Sequence, residues 1–191
     1  MNFPWLKEEW EPTGGTTAGA WLAFYGMFLV YAALDKSGFL LIDNVNLVIH
    51  EGGHLLFGWL GPWIGIWGGT ILQWLVPLLL AIYFFVERKP VAFAFCLFFF
   101  FENFLYTATY MADARVMQLP LVSAGGDGSE PEHDWNTIFS HLGVLQYDTR
   151  IANVIRSLGW VGMLSTTGWL AFQSWRTRNA SAELAHLSEV K

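Results

Sequence analysis

The chain has a single cysteine, Cys96, set inside an apolar run, so a disulfide framework within it is excluded. Charge is also scarce. Asp, Glu, Lys and Arg make up 14% of the residues, where about a quarter is usual for a soluble domain. The charge present leans acidic, with a formal net charge of -6, and nucleic acid is not an expected partner. Positions 1–17 lack a basic stretch leading into a short apolar core, and Glu8, Glu9 and Glu11 outnumber Lys7. A cleavable signal peptide is therefore not expected. No internal repeat is visible.

What the sequence has in excess is apolar surface. The hydrophobic fraction is 54% of 191 residues; with glycine counted and tyrosine left out it is about 61%, against a usual 45–50%. A chain of this length cannot bury that much in one aqueous core, because small domains bury the smaller share of their surface. The surplus is expected to face a lipid bilayer. The composition predicts an all-α, multi-pass membrane helix bundle, forming one integral-membrane domain over 1–191. About five apolar segments are expected, at 18–34, 39–60, 70–86, 91–112 and 151–175, with a loop containing a short helix at 113–150. Eleven Trp fit a membrane protein without implying a pigment, since Trp favours membrane interfaces.

The segments differ in character. The first carries no charge from Ala18 to Leu34, close to the lower limit of about 17 residues for a spanning helix. The second carries Asp43, Asn44, Asn46, His50, Glu51 and His54, too polar for lipid on every side. Gly61, Gly65, Gly68 and Gly69 follow with Pro62, a density of breakers that predicts an irregular turn. The second segment can therefore be a crossing or a re-entrant helix. Pro77 is expected to kink the third segment. In the loop, Gly125, Gly126, Gly128 and Pro131 oppose regular structure. Asp134 is a candidate N-cap for a short helix over 135–142. Beyond the last segment a polar tail runs to Lys191. Five crossings place Lys36, Arg88, Lys89, Arg176, Arg178 and Lys191 on one side and Lys7, Arg115 and Arg150 on the other. That bias favours the N-terminus outside and the C-terminus cytoplasmic.

Within the second segment, His50-Glu51-Gly52-Gly53-His54 reads H-E-x-x-H. A helix puts residues four apart on one face, so the two imidazoles can hold one zinc ion. Glu51 stands beside them as general base, able to take a proton from a metal-activated water and deliver it to a leaving amine. Two histidines and a glutamate inside a membrane are costly unless they pair or ligate something. Gly52 and Gly53 each cost a helix about 1 kcal/mol relative to Ala, which predicts close packing or a substrate nearby.

The H-E-x-x-H helix, the Gly-rich segment, and the following helix with Gly68-Gly69-Thr70, Gln73 and Pro77 resemble the site-2 protease class of intramembrane zinc metallopeptidases. The resemblance covers roughly residues 45–80. It implies a three-helix catalytic core, zinc on His50 and His54, Glu51 as base, and hydrolysis of a transmembrane or membrane-adjacent peptide. That class takes its third zinc ligand from an Asp-Gly motif on a later span, whereas the Asp127-Gly128 pair here lies in the glycine-rich loop.

The third ligand is therefore sought by chemistry. His133 comes first, as an imidazole at the start of a short helix, with Asp134 as its alternative and Glu102 behind them. Helical rise puts Glu102 and His54 at matching depths, about 15 Å along their helices. Glu102 can instead form an ion pair with Arg156. Gln73, Asn103 and Arg156 are expected around the site, Gln73 and Asn103 as interhelical hydrogen-bond partners. The function expected is a membrane-embedded zinc-dependent hydrolase, a peptidase above all. The alternative is a non-catalytic membrane subunit or scaffold with a structural metal, which the missing Asp-Gly motif and the short loops and tail favour.

Overall fold

A computed structural model describes residues 9–121 and 133–189, with side chains described as far as residue 180. The Gly-rich loop, including Asp127-Gly128, and the acidic start of the chain through Glu8 lie outside the described residues. The regular elements are helical: α1 (Gly15–Leu34), α2 (Asp43–Phe57), α3 (Pro62–Val86), α4 (Pro90–Ala112), α5 (Asp134–His141) and α6 (Asp148–Glu189), with 3-10 turns at Gly58–Leu60 and Leu145–Tyr147.

Among the described residues, α1, α3 and α4 are long and apolar enough to cross a membrane. The segments expected at 39–60 and 151–175 form α2 and part of α6 but do not meet that measure. α2 has 15 residues, about 22 Å of helix against a hydrocarbon core of about 30 Å. Polar residues such as Arg156, Ser157, Thr166 and Gln173 dilute α6.

Three expected boundaries move. The stretch from Pro62 to Gly69 is helical, because α3 begins at Pro62 rather than near residue 70. Proline suits the first helical turn, where its missing N–H would have had no partner. The turn itself is confined to Gly58–Gly61, and Gly61 takes φ +113°, a backbone that L side chains disfavour. The polar tail is also helical, with α6 reaching Glu189. Positions 176–189 hold no Pro or Gly and several Ala and Leu, so nothing there stops a helix. α3 runs on through Pro77.

The glycines in α3 serve packing. A Cβ on Gly53 would lie 2.2 Å from the Gly68 carbonyl oxygen, and one on Gly68 would lie 2.6 Å from that of Gly53. The backbones of α2 and α3 thus touch where they cross, and this contact offsets the helix cost of glycine. A Cβ on Gly69 would sit 2.5 Å from His50 Nε2, so the same face of α3 makes room for the imidazole.

On the other side of the bundle α1, α4 and α6 pack through rings. Tyr25 stacks on Phe98 with centroids 4.6 Å apart, and Trp169 meets Trp10 and Phe93 at 4.9 Å each. A Cβ on Gly162 would lie 2.0 Å from the Phe101 ring. Buried Tyr25, Ala94, Phe98, Met163 and Leu170 form the core there. A second core, with Trp135, Ile138, Phe139, Ala108 and Met111, docks α5 against α3 and α4.

Candidate metal centre

α2 opens at Asp43, whose Oδ2 accepts the Leu40 N–H at 2.6 Å and whose Oδ1 accepts from the Asn46 amide at 2.9 Å. An acidic residue in the first turn complements the helix dipole. Two and three turns further on, the same helix presents His50, Glu51 and His54. Ligand atoms of these three lie within 4.8 Å of one another, so the group can hold a metal ion.

Both imidazoles are held from behind. His54 Nδ1 donates to the Gly65 carbonyl oxygen at 2.8 Å, and His50 Nδ1 faces Gln73 Oε1 at 3.0 Å. A main-chain carbonyl only accepts, so His54 carries its proton on Nδ1 and, when neutral, leaves Nε2 bare. This is the tautomer a metal ligand needs, with the outer hydrogen bond fixing the ring.

The Asp134 carboxylate sits in front of the pair. Its Oδ2 is 2.9 Å from His50 Nε2 and 3.2 Å from His54 Nε2. A bare imidazole nitrogen and a carboxylate oxygen repel unless a proton or a cation stands between them. In a tetrahedral zinc shell with bonds of about 2.0–2.1 Å, ligand atoms stand about 3.3 Å apart. The observed spacings are within a few tenths of an ångström of that, so the arrangement is of a size that suits a metal ion. Burial alone would raise the Asp134 carboxyl; hydrogen bonds from His50 and His54 outweigh it and hold the carboxyl below its usual range.

His133 and Asp134 exchange their expected places. His133, not Asp134, caps α5: its Nδ1 accepts the Asn136 N–H at 3.3 Å. Its Nε2 turns away from the His50 and His54 rings to lie 3.3 Å from Asp113 Oδ2. Burial pushes the His133 imidazole below its usual range, against the pull of Asp113. With the cap supplied by its neighbour, the Asp134 side chain is free to face α2.

Glu102 lies elsewhere. Its Oε2 accepts from Asn46 Nδ2 at 3.0 Å, and that amide also reaches Asp43. Arg156 does not reach Glu102 in a hydrogen bond or ion pair; its Nη2 donates to Thr109 Oγ1 at 3.4 Å. Asn103 turns back on its own helix and donates to the Phe99 carbonyl at 2.8 Å. Of the three residues expected around the site, Gln73 alone bonds to it, across the interface between α2 and α3.

A cavity of about 370 Å³ opens beside the site, bordered by His50, Glu51, Tyr106 and Tyr110 and by Phe39 and Leu121. Its walls are mostly apolar, the usual character of a site that takes a small or extended organic ligand. Tyr110 was not among the residues that motif reasoning reached. Its hydroxyl accepts the Asp134 N–H at 3.1 Å, and its ring lies 4.3 Å from His133 and 5.8 Å from His50, centroid to centroid. Its position three residues before Asp113, near the end of α4, carries no local signal of this role.

No protein-family model matches the chain, and no curated protein or solved structure matches it either.

Proposed function

We propose that this chain is a membrane-embedded zinc-dependent hydrolase of peptidase type, with His50, His54 and Asp134 as the metal ligands and Glu51 as the base. The observation that carries the reading is the position of Asp134 Oδ2, at 2.9 and 3.2 Å from two imidazole nitrogens whose outer faces are held by Gln73 and Gly65. Three protein ligands leave a fourth position open, the pattern of catalytic rather than structural zinc. A zinc ion there would lower the pKa of a water to about 7 and polarise a carbonyl. Glu51 borders the cavity next to His50, where its carboxylate takes the proton of the attacking water and hands it to the leaving amine. The carbon–oxygen bond forms, the carbon–nitrogen bond breaks, and Glu51 ends as it began.

On this reading the chain is a site-2 protease-like enzyme in which an aspartate on a short helix, docked by Trp135 and Ile138, replaces the Asp-Gly motif of a later span. α2 and the apolar part of α6 join α1, α3 and α4 in the bilayer as five segments, with the N-terminus outside and the C-terminus cytoplasmic. The substrate is a transmembrane or membrane-adjacent peptide, held in the apolar cavity.

The test is metal analysis of the protein purified in detergent, paired with hydrolysis of apolar peptides after reconstitution in liposomes. One zinc per chain is expected, lost in the paired substitution His50→Ala and His54→Ala. Glu51→Gln keeps size and polarity but removes the base, so it should retain zinc and fold while hydrolysis stops. Full zinc with no hydrolysis in either protein would make the centre a structural one and the chain a scaffold.

A further inference from the structure

We infer that Tyr110 is a catalytic residue whose hydroxyl donates a hydrogen bond to the carbonyl oxygen of the scissile peptide as negative charge develops on it. The inference rests on the hydrolase reading above and adds to it the group that receives the substrate carbonyl.

Four observations place the donor. Tyr110 Oη accepts the main-chain N–H of Asp134 at 3.1 Å, which occupies a lone pair and leaves the phenolic proton to be offered elsewhere. Among the described residues that proton has no acceptor. The side chain lines the same cavity as His50 and Glu51, the space a substrate would fill on this reading. The ring is fixed between His133, at 4.3 Å, and His50, at 5.8 Å. A donor held in place before the reaction spends no reorganisation energy when charge appears.

The geometry also separates the donor from the ligands. Asp134 offers its carboxylate to the imidazoles and its N–H to Tyr110, so one residue sets the spacing between the metal ligands and the phenol. The hydroxyl thus lies within a single residue's length of the Asp134 carboxylate. Tyr106, one turn earlier on α4, borders the cavity as well but, among the described residues, has no such hydrogen bond to His50, His54 or Asp134. In the step itself Tyr110 keeps its proton. Water supplies the oxygen that bonds to the carbonyl carbon, Glu51 carries the water's proton to the amine, and the phenol stabilises the tetrahedral oxyanion between these events.

The experiment compares wild type with Tyr110→Phe and Tyr106→Phe, all loaded with zinc in detergent. The probes are a capped phosphinate analogue of a Leu-Leu dipeptide, which mimics the tetrahedral oxyanion, and acetohydroxamate, which grips the metal alone. Calorimetry should give a loss of about 100-fold in phosphinate affinity for Tyr110→Phe, with acetohydroxamate affinity and resistance of the zinc to chelation unchanged. On an apolar peptide substrate kcat falls by a similar factor while KM stays within about threefold. Unchanged phosphinate affinity in Tyr110→Phe overturns the inference, as does a loss confined to Tyr106→Phe. Easier zinc release in Tyr110→Phe also overturns it, because the phenol would then act by placing Asp134. A wild type that binds no zinc brings down the hydrolase reading and this inference together, an outcome distinct from the other three.

Discussion

The α2, α3 and α5 side of the molecule and the α1, α4 and α6 side both bring helices close, but by different means. At the first crossing Gly53 and Gly68 meet backbone to backbone, and neither partner can rotate away. At the second, Gly162 meets the ring of Phe101, a side chain with torsions to spare. Polar atoms do not divide so cleanly. Both ring nitrogens of His50 and of His54 have partners, but among the described residues the buried Gln73 Nε2 and Trp135 Nε1 on that side have no hydrogen-bond partner, and neither has the buried Tyr25 hydroxyl on the aromatic side. One half holds the two imidazoles in register, and the other fills space with rings that can adjust.

The comparison breaks most readily at Gly53. Gly53→Val would set carbon atoms against the Gly68 carbonyl, and about 3 kcal/mol or more of stability should be lost. Thermal unfolding in detergent would show it as a collapse of the folded fraction, and a variant melting near wild type would mean the crossing is looser than described. Next comes Asp134→Ala, which on the proposed function should weaken zinc binding at least about 100-fold, since a ligand would matter more than the outer partners whose loss costs about 10- to 100-fold. Competition with a chromogenic chelator measures it. Retained affinity would return the third position to another residue.

A smaller effect is expected on the aromatic side. Gly162→Ala should cost about 1–2 kcal/mol, because the Phe101 ring can swing aside at the expense of a strained rotamer. If it proves as damaging as Gly53→Val under the same melt, the distinction between rigid and adjustable crossings fails. The smallest change is Tyr25→Phe. Removing a buried hydroxyl that has no partner should leave stability unchanged or raise it by up to about 1 kcal/mol. A clear fall in melting temperature would show that the hydroxyl is bonded after all.

Much of this was legible in the linear chain. The apolar runs marked α1, α3 and α4 to within a few residues at most ends, because length and hydropathy are summed locally and need no partner. His50, Glu51 and His54 were legible for the same reason: four residues are one helical turn wherever the helix lies. The stretch from Pro62 to Gly69 was misread as irregular because glycine propensity describes an isolated helix, whereas here Gly68 and Gly69 face Gly53 and His50 across the interface. Helical depth also suggested Glu102 as a ligand, yet rise along an axis says nothing of which way a side chain turns, and Glu102 turns to Asn46.

The identity of the group facing the two imidazoles belongs to tertiary structure. His133 and Asp134 are neighbours with opposite fates, one capping α5 beside Asp113 and the other reaching α2. Nothing in their order decides between them. The choice follows from how α5 docks, with Trp135 against Trp67 at 5.5 Å and Ile138 fully buried, and from Tyr110 taking the Asp134 N–H. Composition and helical spacing settle what can be read within one turn: helices, their apolarity, and a pair of imidazoles with a carboxylate beside them. The oxygen that faces them belongs to a residue 84 positions along the chain from His50. A contact at that separation is set by the packing of whole helices rather than by any local pattern.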